Sequence, residues 1–138
     1  LSANNYLDYL DDNNKINDDI KVIQAILNIS NLLISSSIEL PNEIALITKE
    51  ASNLISTSPK KRAFTALRVQ AWDLHDKSSS PSTCCAYRVL ICALFYPIEP
   101  EHELYNSIDL ALDFCRCANE EITEEELIYE LQKVFKVV

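Results

Sequence analysis

The 138-residue sequence contains no glycine, although average usage of about 7% would place roughly ten in a chain of this length. Glycine supplies the positive φ angles of tight turns and lets the backbone approach a phosphate group closely. The sequence therefore excludes a P-loop, a dinucleotide-binding fingerprint and a glycine-dependent nucleophile elbow. Tight glycine hairpins are missing as well, which counts against an all-β fold. Helices joined by Asn, Ser and Pro need glycine least.

Long hydrophobic runs are missing too. The longest, such as VLICALFYPI at 89–98, falls well short of the roughly 20 residues that a membrane-spanning helix needs. Apolar residues nevertheless make up 48% of the chain, which is enough for a hydrophobic core and unlike a disordered chain. We therefore expect one folded domain over residues 1–138 and no membrane association.

The spacing of apolar residues predicts helices along the whole chain. The predicted segments are 6–10 (a short helix or turn), 18–34, a helix opened by Pro41, 60–76, 84–96, 101–118 and 121–136. CCAYRVLICALFY at 84–96 is nearly apolar all round, so we expect its helix at the centre of the fold, ended by Pro97 and Pro100. The sequence thus predicts an all-α fold, a single-domain antiparallel bundle of about five to seven helices.

Three local patterns mark helix starts. Ser58-Pro59 and Ser80-Pro81 each place an N-cap residue before a proline at the first helical position, where the missing N–H costs nothing. Thr123 with Glu126 forms a capping-box pattern before the last helix. Asn17 or Asp18 is the expected N-cap of the helix over 18–34.

Five cysteines are present, at positions 84, 85, 92, 115 and 117. Their number is odd, and the adjacent pair and the CRC triplet are not zinc-ribbon spacings. Four of them lie in apolar helical patterns, where a free cysteine behaves as a small hydrophobic residue. We therefore predict buried reduced thiols, no disulfide, no metal and no cofactor. Reduced thiols indicate a reducing compartment, most simply the cytoplasm.

The net charge of −9 is unevenly distributed. Residues 1–57 carry eight acids and three bases, residues 58–90 two acids and six bases, and residues 99–138 eleven acids and three bases. A basic centre thus lies between two acidic flanks. An acidic chain repels nucleic acid and favours basic partners, so we expect no nucleic acid among its partners.

The segment KKRAFTALRVQAWDLHD at 60–76 carries most of the basic centre. On a helix, its core stripe consists of Phe64, Leu67, Ala71 and Leu74. A second line, whose members are one turn apart, runs through Lys61, Thr65, Arg68, Trp72 and His75. In a structural interpretation, Arg68 stacks on Trp72 and Trp72 covers the edge of the core. In a functional one, Arg68, Trp72 and His75 form an exposed binding surface of hot-spot residue types.

Patterns for catalysis are sparse. His75 and Asp76 are adjacent and should not share a helix face, and nothing local brings either histidine to a cysteine. EEITEEE at 120–126 lacks the spacing and the glycine of a calcium loop, so we interpret it as a solvated helix start. Arg88, inside an apolar helix, needs a carboxylate partner if it is buried; the candidates are Asp73, Asp76, Asp109 and Asp113. We therefore do not expect an enzyme.

RAFTALRVQAWDL, a short Ser/Pro loop, CAYRVLICALFYP and an acidic helix follow one another over residues 58–118. This order resembles small helical immunity proteins that are encoded beside bacterial polymorphic or contact-dependent toxins. The resemblance implies a cytoplasmic toxin inhibitor that binds one cognate toxin domain and blocks its active site or substrate entry. Such proteins are inhibitors, so the resemblance carries over no catalytic residues.

The partner-binding residues predicted from the sequence fall in two groups. Acidic helices in the last third would attract a basic toxin domain, and their candidates are Asp109, Asp113, Glu121 and Glu125, with Glu130 also available. The second group is Arg68, Trp72 and His75. The alternative function is a helical adaptor or regulatory domain that binds a peptide in a groove and has no toxin partner.

Overall fold

A computed structural model of the protein describes residues 1–136. These residues form seven helices and no strand, and none of the helices is long and apolar enough to cross a membrane. The helices are α1 (Ala3–Asp12), α2 (Asp19–Ile34), α3 (Asn42–Thr57), α4 (Lys61–Lys77), α5 (Pro81–Cys92), α6 (His102–Ala118) and α7 (Glu124–Val134). The predicted all-α bundle is confirmed, with seven helices in the described part. Residues 137 and 138 of the predicted domain lie outside it.

All seven helices contribute buried apolar side chains to one core cluster. Two helices occupy its middle: α2 packs against α3, α5, α6 and α7, while α5 packs against α2, α3, α4 and α6. The central position predicted for α5 is confirmed, although the helix is not buried on every side. Cys85, Arg88 and Cys92 recur at three- and four-residue steps, and all three are only partly buried. One side of α5 therefore reaches the surface between its neighbours.

Three of the predicted helix starts are confirmed. The Asp18 side chain accepts a hydrogen bond from the Ile20 amide at the start of α2. At the start of α5, the Ser80 hydroxyl accepts from the Thr83 amide. Both hydrogen bonds of the Thr123–Glu126 capping box are present at the start of α7. Such caps satisfy amides that have no partner within the helix.

The predicted start of α4 at Ser58-Pro59 is wrong. The Ser58 amide donates to the Leu54 carbonyl, so Ser58 already ends α3 as its C-cap. The residue before a proline is also restricted to extended backbone, and Ser58 has φ −152° and ψ 83°. α4 begins two residues beyond Pro59, with Lys60 as an N-cap that makes no side-chain hydrogen bond.

α5 also ends earlier than Pro97 predicts. The helix stops at Cys92 and closes with tight hydrogen bonds from the Ala93 and Leu94 amides to carbonyls three residues back. The segment from 93 to 101 then crosses to α6, with cis peptide bonds before Pro97 and Pro100. The Leu94 carbonyl accepts from the Arg68 guanidinium at 2.8 Å instead of continuing the helix. A tertiary hydrogen bond thus replaces the last turn that the sequence predicts.

Leu90 tests the central role of α5, because its side chain is fully buried in the core. We expect Leu90→Ala to lower the free energy of unfolding by about 2–5 kcal/mol, since it removes packed methyl groups and leaves a cavity. Urea unfolding followed by circular dichroism measures the change. The matched control is Val69→Ala on α4, where the side chain is 65% exposed and the change should stay within about 0.5 kcal/mol. Equal losses for the two variants would contradict the central placement of α5.

Candidate protein-binding surfaces

The second line predicted on α4 faces α5 and α6. Phe64, Leu67 and Ala71 of the core stripe are buried. The adjacent line of residues therefore lies along the edge of the core. Thr65, Arg68, Trp72 and His75 are partly buried, and Lys61 is exposed. The line therefore contributes to packing and is in part accessible to solvent, and Arg68, Trp72 and His75 are less exposed than the functional interpretation expects.

Arg68 does not stack on Trp72 as predicted. Its guanidinium carbon lies 4.4 Å from the centroid of the Phe95 ring, and Nη1 donates to the Leu94 carbonyl at 2.8 Å. Both contacts belong to the segment that follows α5, which the sequence predicts as the end of that helix. Arg68 therefore anchors this segment against α4. Phe95 stays 45% exposed beneath the guanidinium.

The cation that contacts Trp72 is Arg88 of α5. Its guanidinium carbon lies 5.1 Å from the centroid of the Trp72 ring and 4.6 Å from that of Phe114. These distances suit cation–π attraction, which is stronger for a partly desolvated cation. No ion pair joins Arg88 to any of its four predicted aspartate partners within residues 1–136. The carboxylate prediction is therefore wrong, because two aromatic faces take the place of the counter-ion.

His75 contacts both Trp72 and Asp76. The imidazole meets the Trp72 ring edge-on, with centroids 5.0 Å apart, and its Nδ1 lies 2.9 Å from an Asp76 carboxylate oxygen. The expectation that these adjacent residues do not meet is therefore wrong. Cys84 donates to the carbonyl oxygens of His75 and Ser78 at 3.7 Å each. The thiol proton is thus directed to the backbone.

A cavity of about 370 Å³ lies between α4, the segment after α5 and the start of α6. Lys61, Thr65 and Arg68 line one side of it. The other lining residues are Cys92, Phe95, Tyr96, Pro97, Ile98, Glu99, Glu103, Ser107 and Leu110. We refer to it as the α4–α6 cavity. The local sequence gives no sign of this cavity, because its walls come from three separate segments.

Two of the four predicted acidic candidates bind other parts of the protein. Asp109 accepts a hydrogen bond from the Asn4 amide group of α1 at 2.6 Å. Asp113 is 61% exposed, and its carboxylate lies 3.1 Å from Arg116 one turn along α6. These acids therefore help to hold α1 and α6, and only Asp113 keeps much of its carboxylate open to a partner.

Arg116 and Glu124 form a structural ion pair that the sequence pattern does not predict. Arg116 donates from Nε and Nη2 to the two Glu124 carboxylate oxygens, at 3.0 and 2.8 Å. The Ala3 amide of α1 donates to the same carboxylate at 2.9 Å. These hydrogen bonds, with Arg116 first, lower the pKa of Glu124 to about 2 because they favour its charged form. We call Ala3, Asn4, Asp109, Arg116 and Glu124 the α1 clamp.

The other two acidic candidates are exposed. Glu121 precedes α7 and accepts a hydrogen bond from the Ser37 hydroxyl at 2.9 Å, and Glu125 lies in the first turn of α7. Glu130, the additional candidate, is buried and pairs with Lys133 at 2.9 Å. Its predicted availability is therefore wrong, since α7 turns that position towards the core.

All five cysteines are free thiols, but their burial differs from the prediction. Only Cys115 is fully buried, and Cys117 is exposed at the end of α6. Burial raises the pKa of Cys92 and of Cys115 to about 12, so both thiols are uncharged at neutral pH. Within residues 1–136, no group of three or more His, Cys, Asp or Glu side chains is placed to hold a metal ion.

Comparison with known proteins gives no match: no protein-family profile, curated protein or solved structure is similar to this chain.

We predict that Arg88 and Phe114 stabilise the fold as a pair. In a double-mutant cycle with Arg88→Met and Phe114→Leu, the coupling should be about 0.5–1 kcal/mol, the size of a partly solvated cation–π contact. Urea unfolding of the four proteins measures it. The control cycle pairs Arg88→Met with Asp113→Asn, where we expect coupling near zero. Coupling to Asp113 and not to Phe114 would instead support a carboxylate partner.

The α1 clamp predicts a specific pH dependence. The pKa of Glu124 in the folded chain is about 2, below its ordinary value of 4.5, so its contribution to stability is complete above pH 4.5 and is lost as the pH falls towards 2. The Glu124 side chain is 34% exposed and solvent screens the pair, so we expect Glu124→Gln to cost about 1 kcal/mol at pH 7.

Urea unfolding at several pH values tests this dependence. The difference between wild type and Glu124→Gln should shrink between pH 4.5 and about 2. Glu125→Gln is the matched control, because it removes the same charge from the same helical turn at an exposed position. A loss for Glu124→Gln that is independent of pH would contradict the role of the carboxylate.

Proposed function

We propose that this protein is an immunity-type inhibitor that binds a cognate toxin domain in the cytoplasm and blocks its active site or substrate entry. It acts by occlusion and not by catalysis. The resemblance over residues 58–118 suggests the toxin partner, and five free thiols suit a reducing compartment. The observation that carries the proposal is an exposed acidic surface at the start of α7.

The acidic surface consists of Glu120, Glu121 and Glu125, all of which are exposed. Glu126 is engaged in the capping box with Thr123. In a chain of net charge −9, three neighbouring carboxylates outside the α1 clamp provide a local field that attracts a basic surface. This is the kind of complementarity that raises association rates between proteins.

The acidic surface is also held in place before any partner arrives. The Glu121 amide donates to the Asn119 side chain at 3.0 Å, and the Glu121 carboxylate accepts from Ser37. The capping box fixes the first turn of α7 beside Glu125. A surface that is already ordered loses less conformational entropy on binding, which favours a tight inhibitor.

The second candidate function is a helical adaptor that binds a segment of another protein. Phe95 and Leu110 favour it, because they line the α4–α6 cavity and are 45% and 49% exposed. Exposed apolar side chains at a concave site are typical of peptide grooves. An adaptor would lose its partner on Phe95→Ala, whereas an inhibitor that binds through the acidic surface would not.

The test combines growth protection with binding kinetics. The protein is produced together with the toxin domain encoded beside its gene, and association is measured by biolayer interferometry at low and high salt. We expect wild type to restore growth. Reversing Glu120, Glu121 and Glu125 to Lys together should slow association about tenfold at low salt and less at high salt, because screening weakens the field. Asp113 is left unchanged because it pairs with Arg116.

The matched control reverses Asp11, Asp12 and Glu50 to Lys, which are also exposed and change the net charge equally. This control should associate at close to the wild-type rate, apart from the effect that the change in net charge has on any encounter with a charged partner. Circular dichroism confirms that both variants fold. No growth protection by wild type would contradict the immunity function, and equal rates for the two variants would remove the acidic surface from it.

A further inference from the structure

The α4–α6 cavity contains opposite charges that do not pair with each other. Lys61 and Arg68 line it from α4, while Glu99 and Glu103 line it from the segment before α6 and from α6 itself. Within residues 1–136, neither cation forms an ion pair with either acid; Glu103 contacts His102 instead, at 3.0 Å. The cavity therefore has a basic side and an acidic side with a gap between them.

Apolar side chains also line the cavity. Phe95, Pro97 and Leu110 line it, together with Cys92, whose pKa is raised by burial to about 12 and whose thiol is therefore uncharged at neutral pH. Its volume of about 370 Å³ lies at the lower end of the range of about 300–1,000 Å³ that is typical of small-molecule sites. The dimensions suit a small organic molecule better than a folded domain.

Arg68 keeps hydrogen-bonding capacity for a ligand. Its Nη1 donates to the Leu94 carbonyl, and a guanidinium has five N–H donors in a fixed geometry. The contact with the Phe95 ring, 4.4 Å from the guanidinium carbon, helps to hold the group at the cavity wall. Lys61 lies about two helical turns before Arg68 on α4, and the two long basic side chains line the cavity from the same helix.

We propose that the α4–α6 cavity binds a zwitterionic ligand of dipeptide size with apolar side chains. Its carboxylate binds Lys61 and Arg68, its ammonium group binds Glu99 and Glu103, and its apolar body lies between Phe95 and Leu110. This site goes beyond the proposed function and does not depend on it, because it uses none of the acidic-surface residues.

The charges on the two sides of the cavity determine this choice of ligand. A purely apolar ligand would take water from four charged groups and return no hydrogen bonds, which is costly. A simple carboxylate would neutralise the positive charges on the α4 side, but Glu99 and Glu103 would repel it. A molecule with opposite charges at its two ends gives each side a charge-assisted hydrogen bond. The same pattern discriminates against ligands that lack either charge.

The experiment uses leucyl-phenylalanine and three matched derivatives: the N-acetyl form, the C-terminal amide and the doubly blocked form. Binding is measured by isothermal titration calorimetry, and the site is located from ¹⁵N amide chemical shifts. We expect the free dipeptide to bind about tenfold more tightly than either singly blocked form, because each block removes one charge-assisted contact. The shifts should concentrate on residues that line the cavity.

Two charge-removing variants then determine the orientation of the ligand. Lys61→Gln should weaken the free dipeptide and its N-acetyl form, which carry the carboxylate, and leave the amide unchanged. Glu99→Gln should weaken the free dipeptide and its amide, which carry the ammonium group, and leave the N-acetyl form unchanged. We expect each of these variants to lose about three- to tenfold in affinity. The controls are Lys60→Gln and Glu101→Gln, because both residues are exposed and lie outside the cavity lining.

Three results would overturn the proposal. One is the absence of both heat and amide shifts with the free dipeptide at millimolar concentration. Another is equal binding of the doubly blocked form, which would assign the cavity to an internal peptide segment of another protein. The third is a loss of affinity in the Lys61→Gln and Glu99→Gln variants that is the same whichever end of the ligand is blocked. Circular dichroism of each variant separates these results from a failure to fold.

Discussion

Without glycine, the connections between helices in residues 1–136 are built from residues that carry side chains. Asn14 takes the left-handed conformation after α1, with φ 57°, which asparagine tolerates better than most residues. Asn119 ends α6 and donates to Ser36 at 3.1 Å, which ties the turn after α2 to the one before α7. The connections therefore do more than reverse the chain. The contact of Asn119 with Ser36 joins two connections that are far apart in the sequence.

This dependence on side chains explains why the helix starts were predictable to different degrees. Asp18, Ser80 and Thr123 act on amides two or three residues away, so their role is visible in the local sequence. Ser58 carries the same local pattern and fails, because the end of α3 already uses it. A cap pattern cannot show that its residue is already occupied by the preceding helix.

The side-chain contacts were less predictable than the helices. The sequence placed Arg68 and Trp72 on one line of α4 and Arg88 inside α5, but the ring that each guanidinium meets depends on where α5 ends and how α6 crosses it. Arg116 and Glu124 pair across the connection between α6 and α7, and the Ala3 amide that joins them comes from the far end of the chain. Helix periodicity gives the face of a residue and not its partner on another helix.

The charged groups of the protein serve separate purposes according to their partners. Asp109 and Glu124 are committed to the α1 clamp, and Asp113 partly so through Arg116. Arg88 is satisfied by two aromatic rings. Three exposed carboxylates, Glu120, Glu121 and Glu125, lie before and within the first turn of α7, and the opposed charges of the α4–α6 cavity lie in a different part of the fold. The net charge of the chain does not distinguish these groups from one another.

The position of Trp72 limits what optical measurements can report about this protein. It is the only tryptophan, and its ring is in contact with His75 and Arg88 where α4 meets α5. Its emission therefore senses that junction directly. α1 packs instead against α6 and α7, so a partial opening that releases α1 would change the far-ultraviolet ellipticity and leave the indole signal almost unaltered. Coincidence of the two signals during unfolding is thus a direct measure of whether the clamp and the junction come apart together.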